Sequence, residues 1–144
     1  MPAPDFIHDA VKQALIKDGR TITDDPFTIS YEDVTLYADL AAERSLAAVR
    51  ADRRIVVEIK TFLGPSLYYD WEQAIGQYEV YRRLLQVTDP DRELFLAVAS
   101  SIFHDFFQRK SVRLIVGLAK IKIVVVRLEP QEIEQWIVNP TIEI

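Results

Sequence analysis

The sequence contains no cysteine and only two histidines among its 144 residues. The absence of cysteine excludes disulfide scaffolds, thiol catalysis and cysteine-ligated zinc. Two histidines supply little for a histidine-rich metal site or for a histidine-based catalytic triad. A catalytic site in this chain therefore has to use other groups, chiefly carboxylates, lysines and amides.

Long apolar runs are also missing. The most apolar stretch, residues 112–128, is interrupted by Arg113, Lys120 and Lys122, so it is too polar to span a bilayer. The N-terminus lacks the basic start and apolar core of a signal peptide. We therefore expect a cytoplasmic protein with no membrane partner.

Positive charge is in short supply as well. The 17 Lys and Arg residues are outnumbered by 22 Asp and Glu residues, for a formal net charge of −5. The chain as a whole does not attract phosphates or anionic membranes. Any surface that binds nucleic acid must therefore be local.

The composition predicts a folded chain. Hydrophobic residues make up 49% and charged residues 27%, and no repeat, linker or low-complexity run divides the sequence, so residues 1–144 read as one domain. Apolar spacing predicts a helix over 5–18 that ends at Gly19, and β-branched and aromatic residues predict one or two strands within 27–40. Residues 45–50 and 54–62 read as a hairpin with its turn at 51–53.

The second half of the chain alternates between helix and strand. The break at Gly64-Pro65-Ser66 is followed by a long predicted helix to about Gln86, a strand over 94–98, a helix over 102–117 and a strand over 121–128. Pro130 suggests a final helix that runs through Trp136. This order predicts an α/β fold in which helices flank a mixed sheet.

The strand over 54–62 carries the first candidate site residues. Its alternation places Glu58 and Lys60 on one face, with Ile55, Val57 and Ile59 on the other. The plainer interpretation is a solvated ion pair on a half-buried strand. However, this strand is apolar on both faces and should be central, where an unneeded charge pair costs more in desolvation than it returns. Glu58 and Lys60 are therefore candidates for catalysis.

Asp39 is the candidate second carboxylate, and Glu43 is held in reserve. Two converging carboxylates can hold Mg²⁺ or Mn²⁺, and a nearby lysine can position the attacking water. A turn at 51–53 would set Glu58 opposite Leu46, beyond the reach of Asp39. Either a bulge returns Asp39 to the site or Glu43 replaces it, and we favour Asp39.

Gln77 and Tyr81 lie one helical turn apart on the long predicted helix. Gln77 is placed to hydrogen-bond a metal-bound water, a carboxylate or a DNA backbone, with Tyr81 supporting it. The alternative is a surface amide beside a packed tyrosine.

These residues, in the order Asp39, Glu58-x-Lys60 and Gln77-x-x-x-Tyr81, resemble the PD-(D/E)XK nuclease superfamily. The wider segments 39–43, 57–62, 74–78 and 90–98 resemble the XisH family, the fdxN element excision controlling factors of cyanobacteria. The resemblance implies a restriction-endonuclease-like fold and a role in programmed DNA excision. It also implies two partners, a site-specific recombinase and the small companion family XisI. Ala38 stands where the superfamily name has proline.

Basic residues concentrate in the second half of the chain. Five of them form the candidate DNA-binding set: Arg109, Lys110, Arg113, Lys120 and Lys122. The alternative is that they are ordinary solvated ends of elements. A second basic group, Arg50, Arg53 and Arg54, is expected at the hairpin turn.

Two further expectations concern activity and assembly. The main alternative to a metal-dependent deoxyribonuclease is a catalytically silent regulator that holds a protein partner. Three phenylalanines, Phe103, Phe106 and Phe107, are expected to leave an exposed apolar patch. That patch predicts a homodimer or a complex with the companion.

Overall fold

A computed structural model describes residues 4–44 and 53–140, and these residues form four α-helices and eight strands. In chain order the elements are α1 (Pro4–Lys17), β1 (Thr21–Asp24), β2 (Phe27–Tyr31), β3 (Val34–Ala38), β4 (Leu40–Arg44), β5 (Arg53–Ile59), α2 (Leu67–Thr88), β6 (Glu93–Ala99), α3 (Ser100–His104), α4 (Lys110–Ala119), β7 (Ile123–Arg127) and β8 (Glu132–Ile137). None of the helices in the described part of the chain is both long and apolar enough to cross a membrane.

The main sheet has six strands in the order β1-β4-β5-β6-β7-β8. The three central strands β5, β6 and β7 are parallel, and the outer pairings are antiparallel. Strands β2 and β3 form a separate two-stranded sheet. The central strands are apolar on both faces because helices cover both sides of a parallel sheet. The predicted α/β fold with a mixed sheet and flanking helices is confirmed.

Two cores lie on opposite faces of the sheet. On the α1 face, α1 packs against Ile55 and Val57, and on the α2 face, α2 packs against Val56. The predicted alternation of β5 is therefore confirmed, and Glu58 lies on the α2 face.

The ends of both long helices follow from local sequence. Gly19, with φ of 88°, closes α1, and the amides of Gly19 and Arg20 bond to carbonyls in its last turn. The Ser66 hydroxyl accepts a hydrogen bond from the Tyr69 amide and begins α2. The predicted helices over 5–18 and after Ser66 are thus confirmed, and the one or two strands predicted within 27–40 are the two strands β2 and β3.

The predicted final helix from Pro130 through Trp136 is wrong, because this segment is strand β8. The pairing of β8 with β7 slips between Val125 and Val126, so that Glu134 is an extra, bulged residue. The bulge lets Ile133 and Trp136 pack on the same face although they are three residues apart. That spacing imitates a helix, which explains the error.

The predicted helix over 102–117 is wrong in part, because the chain breaks it into α3, a short 3₁₀ turn at Phe106–Gln108 and α4. The break points Phe106 and Phe107 into the core, where they are 1% and 2% exposed. The expected apolar patch at Phe103, Phe106 and Phe107 is therefore wrong for two of its three members.

The first half of the sheet differs from the prediction in two places. Strand β1 was not predicted, and it pairs with β4 through an irregular register. The predicted strand over 45–50 and most of the turn at 51–53 lie outside the described residues, while β5 already begins at Arg53.

Candidate functional site

The candidate site forms where β5 ends beneath α2. Glu58 is 5% exposed and is the one charged residue buried within the described parts of the chain. Its position is fixed by the parallel pairing of Glu58 with Leu96 in β6. Burying a carboxyl group among apolar residues costs free energy of folding, which an apolar residue at this position would avoid.

Asp39 lies directly across from Glu58. Leu40 pairs with Val57 in the antiparallel ladder, which sets Asp39 beside Glu58 without a bulge. The Asp39 amide donates to Glu58 Oε1 at 3.2 Å, and the Ile59 amide donates to Asp39 Oδ2 at 2.7 Å. The expected offset between Asp39 and Glu58 is therefore wrong, because Arg44 pairs with Arg53 and this register places Asp39 beside Glu58.

Glu43, the reserve carboxylate, does not join this pair. It pairs with Arg54, four residues along β5 from Glu58. At about 3.3 Å per residue this distance is on the order of 13 Å along the strand. The geometry favours Asp39 over Glu43 as the neighbour of Glu58.

Burial dominates the ionisation of Glu58. Loss of hydration, with a smaller contribution from the negative charge of Asp39, raises the pKa of Glu58 to about 8. Lys60 and the Asp39 amide act in the opposite direction. At neutral pH the Glu58 carboxyl therefore keeps its proton most of the time.

Lys60 is the cation nearest to this pair. Its Nζ lies 3.5 Å from Glu58 Oε2, and its side chain is 26% exposed. The Lys60 amide bonds to the Ala97 carbonyl at 3.0 Å, which continues the parallel pairing beyond β5 and fixes where the side chain emerges. The ammonium group thus contacts both the buried carboxyl and the solvent.

Gln77 and Tyr81 are joined as predicted. Gln77 Nε2 donates to the Tyr81 hydroxyl at 2.8 Å, and that hydroxyl donates to the Tyr37 carbonyl at 3.1 Å. The negative charge of Glu58 contributes to a raised pKa of Tyr81, although burial contributes more. The pair anchors α2 to the end of β3, next to Asp39.

An open cleft runs beside the site along α2, and Lys60, Glu72, Gln73, Gly76 and Gln77 line it. No atom lies within 4 Å of where a side chain at Gly76 would begin, so this part of the cleft is unfilled. Lys60 and Gln77 are therefore both reached from this open surface.

The donor set fits a divalent cation of the Mg²⁺ or Mn²⁺ type. Two carboxylates, Asp39 and Glu58, supply hard oxygen ligands and leave the remaining positions to water and substrate, as Mg²⁺ prefers. Among residues 4–44 and 53–140 no group of three His, Asp or Glu side chains is arranged as a metal cage. The fit is therefore to a weak, open site.

Sequence reasoning missed His8. Its Nδ1 lies 4.0 Å from Asp39 Oδ1, while its Nε2 contacts Asp25 at 2.9 Å, and Lys12 also pairs with Asp25. The chain has only two histidines, which could have drawn attention to His8, but no sequence pattern links α1 to Asp39.

The structure separates the five candidate DNA-binding residues into two groups. Arg109 stacks on Phe106, whose ring contacts Phe62 shortly after Lys60, and Lys110 and Arg113 follow in α4. Lys122 pairs with Glu93, and Arg82 Nη1 donates to the Lys120 carbonyl.

The basic residues expected near the hairpin turn are also divided. Arg54 lies 3.5 Å from both Asp89 and Asp91, whereas Arg53 lies on the other face of the sheet. Arg50 lies outside the described residues.

Comparisons of sequence and of structure both find known proteins that are similar to this chain. The sequence model of the XisH protein family matches residues 1–134. The structure is similar to an XisH family protein from Nostoc punctiforme PCC 73102, with a TM-score of 0.85, 37% identity, and coverage of 92% of this chain and 99% of that one. It is similar to an fdxN element excision controlling factor protein from Anabaena variabilis, with a TM-score of 0.85, 40% identity, and coverage of 92% and 98%. No curated protein matches the chain.

Proposed function

The chain belongs to the XisH family, and from this premise we propose that it controls excision of a DNA element through a metal-dependent phosphodiesterase site of the PD-(D/E)XK type. The excision role is supported by the description of the Anabaena variabilis protein, which is 40% identical. The chemistry is supported by the site itself.

One observation carries the proposal: a buried carboxyl, Glu58, faces a second carboxylate, Asp39, and a lysine, Lys60, at the end of a central strand. The negative charge of Asp39 opposes ionisation of the buried Glu58 beside it, so that Glu58 holds a proton. A divalent cation reverses this preference because it stabilises both charged carboxylates.

Each side chain has a defined part in phosphodiester cleavage. Asp39 and Glu58 would hold the cation, which when bound supplies positive charge to a phosphate group and acidifies a water molecule. Lys60, exposed on one side, orients the attacking water and places its charge beside the phosphate. Gln77, held by Tyr81, lines the cleft and offers its amide to the substrate there.

DNA is the substrate class that the cleft favours. The cleft is open, and polar side chains line it. Arg109 and Lys110 lie at the same end of the molecule as the cleft, because Phe106 contacts Phe62 and Ser111 contacts Tyr68. Lys and Arg side chains of this kind bind phosphates without reading sequence.

A second candidate function is a silent regulator that uses this fold to hold a protein partner. Acidic partners neutralise two of the basic side chains that could otherwise bind DNA, since Glu93 pairs with Lys122 and Glu134 pairs with Arg127. This favours a protein that does not bind DNA by itself. With a net charge of −5, the protein would then reach DNA through an XisI-like companion, a site-specific recombinase complex or a second copy of itself.

Cleavage assays separate the two functions. Linear, branched and single-stranded DNA are incubated with Mn²⁺ or Mg²⁺ and the wild type, Glu58→Gln, Lys60→Ala or the matched control Glu72→Gln, which removes an exposed acid from the same cleft. We expect cleavage by the wild type and the control, and loss of at least about 100-fold in both site variants.

The same assays are repeated with the companion protein present. If the wild type does not cleave under any condition but binds the companion, the protein is the silent regulator. Cleavage that survives in both site variants would remove Glu58 and Lys60 from the mechanism.

A further inference from the structure

A cluster of arginines lies on the α1 face of the sheet, at the opposite end of β5 from Glu58. Arg44 ends β4 and pairs with Arg53, which begins β5. Both line a pocket with Arg20, the residue after the Gly19 turn, and with Trp136 of β8. Three segments that are distant in sequence thus bring three guanidinium groups to one pocket.

Arg20 is the most unusual of the three. Its side chain is only 10% exposed, and its guanidinium carbon lies 4.5 Å from the centre of the Trp136 ring. Its Nε approaches Asp18 Oδ2 at 3.4 Å, yet neither Nε nor Nη1 forms a hydrogen bond with any described residue. Buried donors without acceptors are costly.

The charges around Arg20 add to this cost. Burial lowers the pKa of Arg20, and the charges of Arg44 and Arg53 lower it further, while Asp18 acts in the opposite direction. The other acid at the pocket, Glu93, already pairs with Lys122 at 2.9 Å. Within residues 4–44 and 53–140, no acid forms a salt bridge with Arg44 or Arg53. The pocket therefore has an excess of positive charge.

We propose that this pocket is a binding site for a phosphate group, held by Arg20, Arg44 and Arg53 against the wall that Trp136 provides. Guanidinium groups match the oxygens of a phosphate through paired hydrogen bonds, and a bound dianion would offset the repulsion among the arginines. The pocket volume of about 340 Å³ is larger than one phosphate group needs. Inorganic phosphate and the phosphate of a mononucleotide are the two sources of this chemistry.

The phosphate site is separate from the carboxylate site. Arg53 and Glu58 lie on opposite faces of β5. They are five residues apart, which corresponds to about 17 Å along the strand. Phosphate binding at Arg53 therefore does not depend on the proposed nuclease chemistry.

Trp136 provides the readout. Inorganic phosphate is titrated into the full chain at constant ionic strength, with chloride as the reference, while tryptophan fluorescence is followed. The other tryptophan, Trp71, is 1% exposed in the core on the α2 face and gives a constant background. Trp136→Phe identifies the signal, and calorimetry measures phosphate binding without it.

The exposed arginines provide variants that should not disturb the fold. We expect saturable phosphate binding that Arg44→Gln and Arg53→Gln each weaken at least about fivefold, and that Arg20→Gln abolishes. The matched control is Arg83→Gln, a 68% exposed arginine paired with Glu79, which should bind phosphate as the wild type does.

Two results would overturn the proposal: phosphate has no effect beyond that of chloride, or Arg83→Gln weakens binding as much as Arg53→Gln does. Tighter binding of a 5′-mononucleotide than of inorganic phosphate supports the site and identifies a nucleotide as the source. Equal binding of the two supports the site with free phosphate as the source.

Discussion

Replacing Glu58 with glutamine should leave stability nearly unchanged at acid pH and make the variant more stable than the wild type at alkaline pH. The pKa of Glu58 is raised from 4.5 to about 8 in the folded protein. Between these values the folded state holds a proton that the unfolded state releases, so the stability of the wild type falls as pH rises. At 1.36 kcal/mol per unit, a shift of this size is worth up to about 5 kcal/mol across the window. Glutamine keeps the shape and neutral charge of the protonated acid and does not titrate.

The assay is urea unfolding of wild type and Glu58→Gln at five pH values from 5 to 9, without divalent metal. Below pH 5 both proteins carry a neutral group at this position. At pH 9 the free energy of unfolding of the variant should exceed that of the wild type by several kcal/mol. The matched control Glu72→Gln, an exposed acid of the same cleft, should run parallel to the wild type. If the difference between wild type and Glu58→Gln stays constant within about 1 kcal/mol from pH 5 to 9, the raised pKa is wrong.

Three further predictions concern the same region. Binding of Mn²⁺ should be weak and should strengthen from pH 6 to 8 with release of about one proton, because the cation displaces the proton of Glu58. Calorimetry in two buffers of different ionisation enthalpy measures the number of protons released. The Glu58→Gln variant should lose this proton release. Tyr81→Phe should lower the free energy of unfolding by about 1–2 kcal/mol, because the Tyr37 carbonyl loses its donor and Gln77 its acceptor; an unchanged urea midpoint would contradict this. Gly76→Ala should raise the free energy of unfolding by about 0.5–1 kcal/mol, because alanine favours a helix and the new methyl group meets no atom, while weakening DNA binding if the substrate occupies that space.

The sequence alone predicted Glu58 and Lys60 because a strand has a strict period of two and this strand is apolar elsewhere. The same reasoning failed to place Asp39, because the partner of a strand residue depends on where the connection turns. The hairpin predicted with its turn at 51–53 placed Leu46 opposite Glu58, whereas the pairing of Leu40 with Val57 places Asp39 there. Register is set by tertiary packing, which a strand's own sequence does not record.

The C-terminal strand shows a second limit. The bulge at Glu134 is held by contacts with Ser100 and His104, some thirty residues earlier. These partners lower the pKa of Glu134 to about 2, the Ser100 hydrogen bond contributing most. A residue whose conformation depends on such distant contacts gives no local signal, and the apolar spacing around it then predicts the wrong element.

The edges of the six-stranded sheet bear on how copies of the protein meet. Strand β1 is four residues long and irregular in register, and β8 carries the bulge together with the exposed acid Glu132. Short, bulged and charged edges resist extension by another strand. We therefore expect any contact between copies of the protein to use helices, loops or the β2–β3 sheet rather than the pairing of edge strands.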